Sequence, residues 1–204
     1  MKHIPFILGL TGSIGMGKST TAEFFRQAGV PVWDADAAVH RLYDVGGRAV
    51  EPVSGICPDA VINGSVRRDK LRDWIAQDPK AIETLNRVVH PLVAKDRADF
   101  ISDAGQSGQP IVIVDVPLLF ETGGEAYVDA ILVVSAPKEI QKTRVLAREG
   151  MTLAHFETIQ ARQMPDAEKR ARADYVIETT TMQSAQQAVK DLLAELKERI
   201  SKDA

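Results

Sequence analysis

The sequence is poor in the features that mark several classes of protein. It holds a single cysteine, Cys57, among 204 residues, which excludes an internal disulfide framework and favours a reducing compartment. The formal net charge is only −3, so no overall basic field would draw the chain to nucleic acid or to a membrane surface. No apolar stretch approaches the roughly 20 residues of a membrane span. We therefore expect a cytosolic protein without a nucleic-acid or membrane partner.

The composition is otherwise that of an ordinary folded protein. Apolar residues make up 45% and charged residues 26% of the chain, which is enough to build a core and gives no indication of disorder. The length suits one compact α/β unit with a smaller insertion. We expect a monomer or a weak homo-oligomer. The first apolar run, Ile4–Leu10, is short and leads directly into a glycine-rich stretch. We therefore expect no cleaved secretory signal.

Short apolar runs that alternate with helix-like segments predict a parallel β-sheet. This alternation implies right-handed βαβ units. We predict a first helix over Thr20–Gln27 and a terminal amphipathic helix over 190–202. The predicted strands are Ile4–Leu10, Val30–Asp34, Ile111–Val116, Ala130–Ser135 and Tyr175–Ile177.

Two long excursions interrupt the alternation of strands and helices. Between Asp36 and Ser107 we find no convincing strand. The second excursion, over about 138–173, is rich in lysine and arginine. We predict helices in the first excursion over 37–44, 67–77 and 79–104, with a connection over 45–66. The predicted parts of the chain are a core (1–35, 108–137 and 173–204), a helical subdomain (36–107) and a basic segment (138–172).

The stretch GLTGSIGMGKST, residues 9–20, matches the phosphate-binding pattern G-x-x-x-x-G-K-[ST] at every fixed position. Glycines let a tight loop turn several backbone N–H groups towards phosphate oxygens, and the helix that follows adds its positive end. Lys18 would reach the β- and γ-phosphates, and the Ser19 hydroxyl would bind Mg²⁺. The predicted ATP-binding residues are Gly12, Ser13, Ile14, Gly15, Met16, Gly17, Lys18, Ser19, Thr20 and Arg148.

Three carboxylates at or near predicted strand ends are candidates for chemistry. Asp34 would emerge at the carboxyl edge of the sheet, where it could accept the proton of an attacking hydroxyl. Asp36 suits this edge too, but it is also a good N-cap candidate for the helix that follows. Asp115 ends an apolar strand, as does the carboxylate that holds Mg²⁺ in P-loop proteins, although a strand-end aspartate is also a common turn residue.

The basic excursion offers cations for the charge that develops on a moving phosphoryl group. Arg144 and Arg148 are spaced i, i+4 after a predicted core strand, so we expect them to share one helix face. For any single basic residue, a solvated helix face is the competing interpretation.

The P-loop by itself does not separate a small-molecule kinase from a GTPase switch or a regulatory ATPase. A GTPase would need an N/T-K-x-D segment after a strand, and the chain reads APKEIQK after the strand Ala130–Ser135. Within the kinases, a nucleoside monophosphate or a sugar is an alternative acceptor.

Five segments taken together point to one family more specifically than the P-loop alone does. GLTGSIGMGKST, VWDADAAVHRLY, LNRVVHPLV, VIVDVPLLFETG and IQARQMPDAEKRARADYVIE occur in this order along the chain. In this order and spacing the sequence resembles the dephospho-coenzyme A kinase family from about Ile4 to the last helix. The resemblance implies a three-layer P-loop NTPase fold with a central five-stranded parallel sheet, a helical substrate-binding insertion and a helical lid. It also implies transfer of the γ-phosphoryl group of ATP, with Mg²⁺, to the ribose 3′-hydroxyl of dephospho-coenzyme A.

The resemblance also suggests roles for individual residues. Asp34 resembles the residue that takes or orients the 3′-hydroxyl proton, and Arg144 resembles the lid arginine. Together with Lys18 they form the predicted catalytic set, and Ser19 and Asp115 form the predicted metal site. The predicted acceptor-binding residues are His90, Asp36, Leu118 and Glu121. Read from the residues alone, His90 before Pro91 could instead be a helix-breaking turn position.

One segment departs from the family pattern. After ADYVI the family usually has an asparagine and a glycine near the nucleotide base. This chain reads ETTTMQS over 178–184, with Thr179 and Thr181 in those places. The departure concerns contacts with the base and leaves the phosphate-binding residues unaffected.

Overall fold

The computed structural model describes residues 4–203. The chain forms two compact units: Asp34–Ser102, and the segment up to Trp33 together with the segment from Asp103 onwards. The strands are β1 (Phe6–Thr11), β2 (Val32–Asp34), β3 (Val61–Ile62), β4 (Ser65–Val66), β5 (Ile111–Asp115), β6 (Ala130–Ser135) and β7 (Tyr175–Glu178). The helices are α1 (Lys18–Gln27), α2 (Ala35–Tyr43), α3 (Val50–Ser54), α4 (Arg68–Gln77), α5 (Ala81–Gln106), α6 (Lys138–Leu146), α7 (Leu153–Gln160), α8 (Asp166–Arg172) and α9 (Met182–Asp203).

The larger sheet has five strands in the order β2-β5-β1-β6-β7. β1 pairs in parallel with β5 on one side and with β6 on the other, so that Leu8 is opposite both Ile113 and Ala130. Every residue of β5 and of β6 is buried, as expected for parallel strands covered on both faces. The predicted five-stranded parallel sheet is therefore confirmed.

Helices cover both faces of this sheet. On one face, α1 packs against β1, and α9 packs against α1 and β7; Phe25 and Leu196 are fully buried in this cluster. On the other face, Leu119, Phe120, Ile131 and Val133 form a second cluster, against which Met164 packs. Each fully buried leucine or phenylalanine side chain contributes about 1.5–3 kcal/mol. The result is the predicted three-layer arrangement.

The boundaries of the elements in this unit differ little from the predictions. β6 has its predicted bounds, β7 is one residue longer, and α1 begins at Lys18 rather than Thr20. The last helix begins at Met182 and not at 190, because polar residues in its first turns hide the apolar spacing that Ala185 and Val189 continue. Among residues 4–203, no helix is both long and apolar enough to cross a membrane.

The unit Asp34–Ser102 has its own core. Buried residues from α2, α3, α4 and α5 meet in one apolar cluster. Its largest members are Leu42, Tyr43, Leu71 and Leu85.

This unit also contains strands, so the prediction that no strand lies between Asp36 and Ser107 was wrong. β3 and β4 form an antiparallel hairpin in which Val61 is opposite Val66. Asn63 (φ 52°) and Gly64 (φ 75°) make its two-residue turn. An Asn-Gly pair between apolar residues is a strong hairpin signal because both positions need positive φ. The segment 45–66, predicted as a connection, holds this hairpin and α3.

His90 and Pro91 lie inside a continuous helix. α5 runs for 26 residues, with Pro91 in its interior, so His90 is not a helix-breaking turn position. Proline has no N–H to donate and therefore leaves one helical hydrogen bond unmade. His90 is exposed on this helix.

Candidate active site

The glycine-rich loop lies between the carboxyl end of β1 and the start of α1, as the sequence predicts. Gly15 and Gly17 have φ values of 78° and 85°, which other residues rarely adopt. A Cβ at Gly15 would lie 2.5 Å from Val145 Cγ2, and one at Gly17 would lie 2.8 Å from Thr179 Oγ1. Glycine at both positions is therefore required by the backbone conformation and by close packing against α6 and the end of β7.

The first turn of α1 presents unsatisfied donors. The first bond of this helix runs from the Thr21 N–H to the Gly17 carbonyl, so the N–H groups of Lys18, Ser19 and Thr20 have no acceptor within the helix. No acidic residue stands in this turn. Such a helix start favours binding of an anion, and phosphate is the typical ligand.

Lys18 and Asp115 are brought together by the fold. The Lys18 ammonium forms an ion pair with Asp115 Oδ1, with side chains that are 16% and 2% exposed. Because β1 and β5 are neighbours, the residue that ends β5 reaches the start of α1. This pair places a cation and a buried carboxylate beside the phosphate-binding turn.

Side chains distant in sequence hold the peptide groups of the loop. Gln163 Oε1 accepts a hydrogen bond from the Ile14 N–H at 3.0 Å, and Gln141 Nε2 donates to the Ile14 carbonyl at 2.8 Å. Sequence reasoning missed both glutamines as loop contacts, although Gln163 belongs to the RQ pair in the family-like segment. The loop is thereby bonded to α6 and to the residues before α8.

Arg144 is linked to the loop by hydrogen bonds through Thr179. Its guanidinium donates to Thr179 Oγ1 at 3.1 Å and to the Thr179 carbonyl at 2.5 Å. The Thr179 hydroxyl donates in turn to the Met16 carbonyl at 2.8 Å. Sequence reasoning placed Thr179 only near the nucleotide base, because its contact with Met16 spans 163 positions.

Arg148 does not share a helix face with Arg144, which corrects the prediction. α6 ends at Leu146, and Arg148 follows in a turn where it is exposed. Within residues 4–203, no hydrogen bond or ion pair engages its guanidinium.

In the other unit, Asp34 caps α2. Its Oδ1 accepts a hydrogen bond from the Ala37 N–H at 2.9 Å, and Asp34 is both the last residue of β2 and the N-cap of the helix. Asp36, which the sequence offered as an N-cap candidate, is not the cap; it lies in the first turn of α2 and is exposed. The helix begins one residue after Asp34 because the strand leads into it without a loop.

The two remaining predicted acceptor-binding residues follow β5. Leu118 is 39% exposed. Glu121 Oε1 lies 2.8 Å from the ammonium of Lys169, whose side chain is fully buried, and it also accepts a hydrogen bond from the Met164 N–H at 2.8 Å. Burial acts to raise the pKa of Glu121, but the contacts with Lys169 and with the Met164 N–H outweigh it and hold the pKa below its ordinary value.

The oxygen ligands near the glycine-rich loop suit a Mg²⁺ ion that is shared with a phosphate ligand. In the part of the chain that the structure describes, no three His, Cys, Asp or Glu side chains cluster as a metal site. Mg²⁺ is usually held by one or two carboxylates plus phosphate oxygens and water. The Asp115 carboxylate and the Ser19 hydroxyl fit that smaller requirement.

A glycine-rich loop that joins β1 to α1 at the carboxyl edge of a five-stranded parallel sheet, with a lysine at its end, defines a P-loop nucleotide-binding protein. The Dephospho-CoA kinase family model matches residues 6–184. The chain therefore belongs to the dephospho-CoA kinase family.

Individual relatives agree with this assignment. The chain is 57% identical to the dephospho-CoA kinase of Cereibacter sphaeroides, over 95% of this chain and 97% of that one. It is 54% identical to the dephospho-CoA kinase of Ruegeria pomeroyi, over 94% and 96%. Protein TT1252 from Thermus thermophilus is 38% identical, with a TM-score of 0.81 over 96% of this chain and 99% of that one. The dephospho-CoA kinase from Campylobacter jejuni, at 20% identity and a TM-score of 0.65 over 95% and 98%, shares the fold.

The ion pair between Glu121 and Lys169 predicts a pH-dependent contribution to stability. A carboxyl whose pKa is depressed by folding stabilises the protein above its ordinary pKa of 4.5, and this stabilisation is lost as the pH falls through the folded value. Glu121→Gln should lower the free energy of unfolding by about 1–3 kcal/mol at neutral pH. The difference from wild type should shrink when urea unfolding is repeated at about pH 3.5.

Glu178→Gln is the matched control for this experiment. Its ion pair with Arg170 joins side chains that are 59% and 40% exposed, so its loss should change stability by less than about 1 kcal/mol. Equal effects of the two substitutions at neutral pH would contradict the assignment of a stabilising role to the buried pair.

Proposed function

We propose that this protein catalyses the last step of coenzyme A synthesis, the transfer of the γ-phosphoryl group of ATP to the 3′-hydroxyl of dephospho-coenzyme A. The observation that carries the proposal is the similarity to dephospho-CoA kinases at more than half identity over almost the whole of both chains. The phosphate-binding turn of α1, with Lys18 beside it, supplies the chemistry that such a transfer needs.

The nucleotide phosphates would be held by the loop Gly12–Thr20. The N–H groups at the start of α1 would bind phosphate oxygens, and Lys18 would place its charge on the β- and γ-phosphates. Ser19 and Asp115 would hold Mg²⁺, which neutralises charge on the phosphates when it is bound. These residues orient the γ-phosphorus and stabilise the charge that spreads over its oxygens.

Asp34 is our candidate for the group that receives the acceptor proton. The 3′-oxygen forms a bond to the γ-phosphorus while the bond from that phosphorus to the bridging oxygen of ADP breaks. The proton of the 3′-hydroxyl passes to the Asp34 carboxylate, and ADP leaves with the electron pair of the broken bond. Asp34 ends β2 at the carboxyl edge of a parallel sheet, where ligands of such folds bind.

Arginines of the lid would meet the developing negative charge. Arg144 is positioned by Thr179, and the exposed guanidinium of Arg148 has the freedom to reach a phosphate. Asp36, His90 and Leu118 are our candidates for acceptor binding. Glu121 is the weaker candidate, since its Oε1 already binds Lys169 and the Met164 N–H. The boundaries of the helical subdomain and the lid, a cytosolic location, and a monomer or weak homo-oligomer are further parts of this proposal.

An acceptor panel tests the proposed reaction. ADP release should depend on dephospho-coenzyme A and on Mg²⁺, and AMP, dTMP and gluconate should give rates close to that without acceptor. A coupled ADP assay measures these rates, and mass spectrometry of the product should show one added phosphoryl group. Stimulation by a different acceptor alone would overturn the choice of substrate.

Lys18→Met should abolish phosphoryl transfer, because the β- and γ-phosphates lose their cation. It also removes the ammonium that contacts Asp115, which is 2% exposed, so some loss of stability is expected. Lys18→Arg keeps a positive charge next to Asp115 but replaces the compact ammonium group by a larger, planar guanidinium group. Steady-state rates and thermal unfolding should show both variants inactive, with Lys18→Arg the more stable. Normal turnover by either variant would refute the role of Lys18.

Asp34→Asn separates the capping role of Asp34 from its proposed chemical role. Asparagine is an equally good N-cap, so α2 should stay intact while kcat falls by roughly 10²–10⁴ and ATP affinity changes little. Asp78→Asn is the control, because Asp78 Oδ1 also accepts a backbone hydrogen bond, from the Lys80 N–H at 2.9 Å. An unchanged kcat in Asp34→Asn would remove Asp34 as the proton acceptor.

A further inference from the structure

Thr179 is a buried polar residue in contact with the phosphate-binding loop. It is the first residue after β7 and is 4% exposed. Its backbone N–H donates to the Ser135 carbonyl at 2.8 Å, which fixes it beside the end of β6. Its hydroxyl can therefore be assigned to definite partners.

The single hydroxyl proton of Thr179 is directed at the loop. Oγ1 lies 2.8 Å from the Met16 carbonyl oxygen and 3.4 Å from the Ser135 carbonyl oxygen. The shorter contact takes the proton, since a distance of 2.7–2.8 Å is usual for a hydroxyl donor. The lone pairs of the same oxygen then accept the hydrogen bond from Arg144 at 3.1 Å.

The bond to Met16 fixes a peptide group of the glycine-rich loop. The Met16 carbonyl and the Gly17 N–H belong to one planar peptide unit and point in opposite directions. Holding the carbonyl towards Thr179 therefore turns the Gly17 N–H away from Thr179. Gly17 is the N-cap of α1 and has no side chain to restrain it, so an external partner is needed to keep this orientation.

The same residue orients a lid arginine. Arg144 donates to the hydroxyl and to the carbonyl of Thr179, and at 3.4 Å to the carbonyl of Thr180. Two separate donors on one guanidinium limit both its position and its rotation. Thr179 thus makes one hydrogen bond to the loop and two to Arg144.

We propose that Thr179 is a positioning residue for nucleotide binding. Its hydroxyl orients both the Met16–Gly17 peptide and Arg144. The proposal rests on the proposed function in that the ligand is a nucleoside triphosphate, but it does not depend on the acceptor. The neighbouring threonines have other tasks. Thr181 Oγ1 accepts a hydrogen bond from the Ser184 N–H at 3.1 Å at the start of α9, and Thr180 is exposed.

Thr179→Ala and Thr179→Ser form the decisive pair, because they differ only in the hydroxyl group. Affinity for the non-hydrolysable β,γ-imido analogue of ATP, with Mg²⁺, is measured by calorimetry without an acceptor. Thr179→Ala should bind it about tenfold more weakly than wild type, and Thr179→Ser should stay within about twofold, as expected for one buried hydrogen bond lost or kept. Thr180→Ala should bind as wild type does.

Steady-state kinetics separate positioning from a general effect on the fold. In Thr179→Ala the KM for ATP should rise about tenfold, while the KM for dephospho-coenzyme A stays unchanged. A merely structural role would lower the melting temperature and leave the KM for ATP at the wild-type value. If Thr179→Ala is unfolded at the assay temperature, Thr179→Cys, whose thiol is a weak donor of similar size, takes its place in the comparison with Thr179→Ser.

The outcomes are distinct. If the alanine and serine variants both bind the nucleotide as wild type does, or if both bind it equally weakly, the role of the hydroxyl is overturned. A wild-type protein that binds the ATP analogue but does not phosphorylate dephospho-coenzyme A would contradict the proposed function alone, and the alanine and serine variants would still decide the role of Thr179.

Discussion

The structure depends on holding the peptide groups of a glycine-rich turn in one orientation. Glycine gives the backbone access to positive φ at Gly15 and Gly17, but it also lowers the free-energy cost of other orientations of the peptide groups. The glycines therefore make the phosphate-binding conformation attainable without making it stable. Stability comes from Gln141, Gln163 and Thr179, which bind the carbonyls or N–H groups of Ile14 and Met16.

Part of the basic segment that follows α6 is engaged in ion pairs. Lys169, Arg170 and Arg172 form ion pairs with Glu121, Glu178 and Glu125. These pairs attach α8 to the sheet and to the segment after β5. Gln163 lies three residues before the start of that helix, and its side chain is bonded to the loop at Ile14. Three of the cations that the sequence offers as candidates for chemistry are thus engaged in ion pairs within the structure.

The limits of sequence reasoning follow from the range of the contacts. The loop and the buried strands are local patterns, and both could be predicted. The hairpin at Asn63-Gly64 was equally local and was overlooked because its strands have only two residues each. The contacts of Gln163 and Thr179 with the loop span 149 and 163 positions, and no spacing rule reaches that far. The family-like segments contained Gln163 but gave no indication of what it touches.

The capping bond of Asp34 does not exclude the chemical role that we propose for this residue. From the sequence, Asp36 is a candidate for both capping and acceptor binding and Asp34 a candidate for chemistry, whereas in the structure Asp34 is the cap. The Ala37 N–H uses only Oδ1, and a carboxylate has two oxygens with about four acceptor positions. The capping bond fixes the side-chain orientation at the end of β2 and leaves Oδ2 available to a hydroxyl donor. A group that receives a proton benefits from such restraint, because geometry must be right before basicity counts.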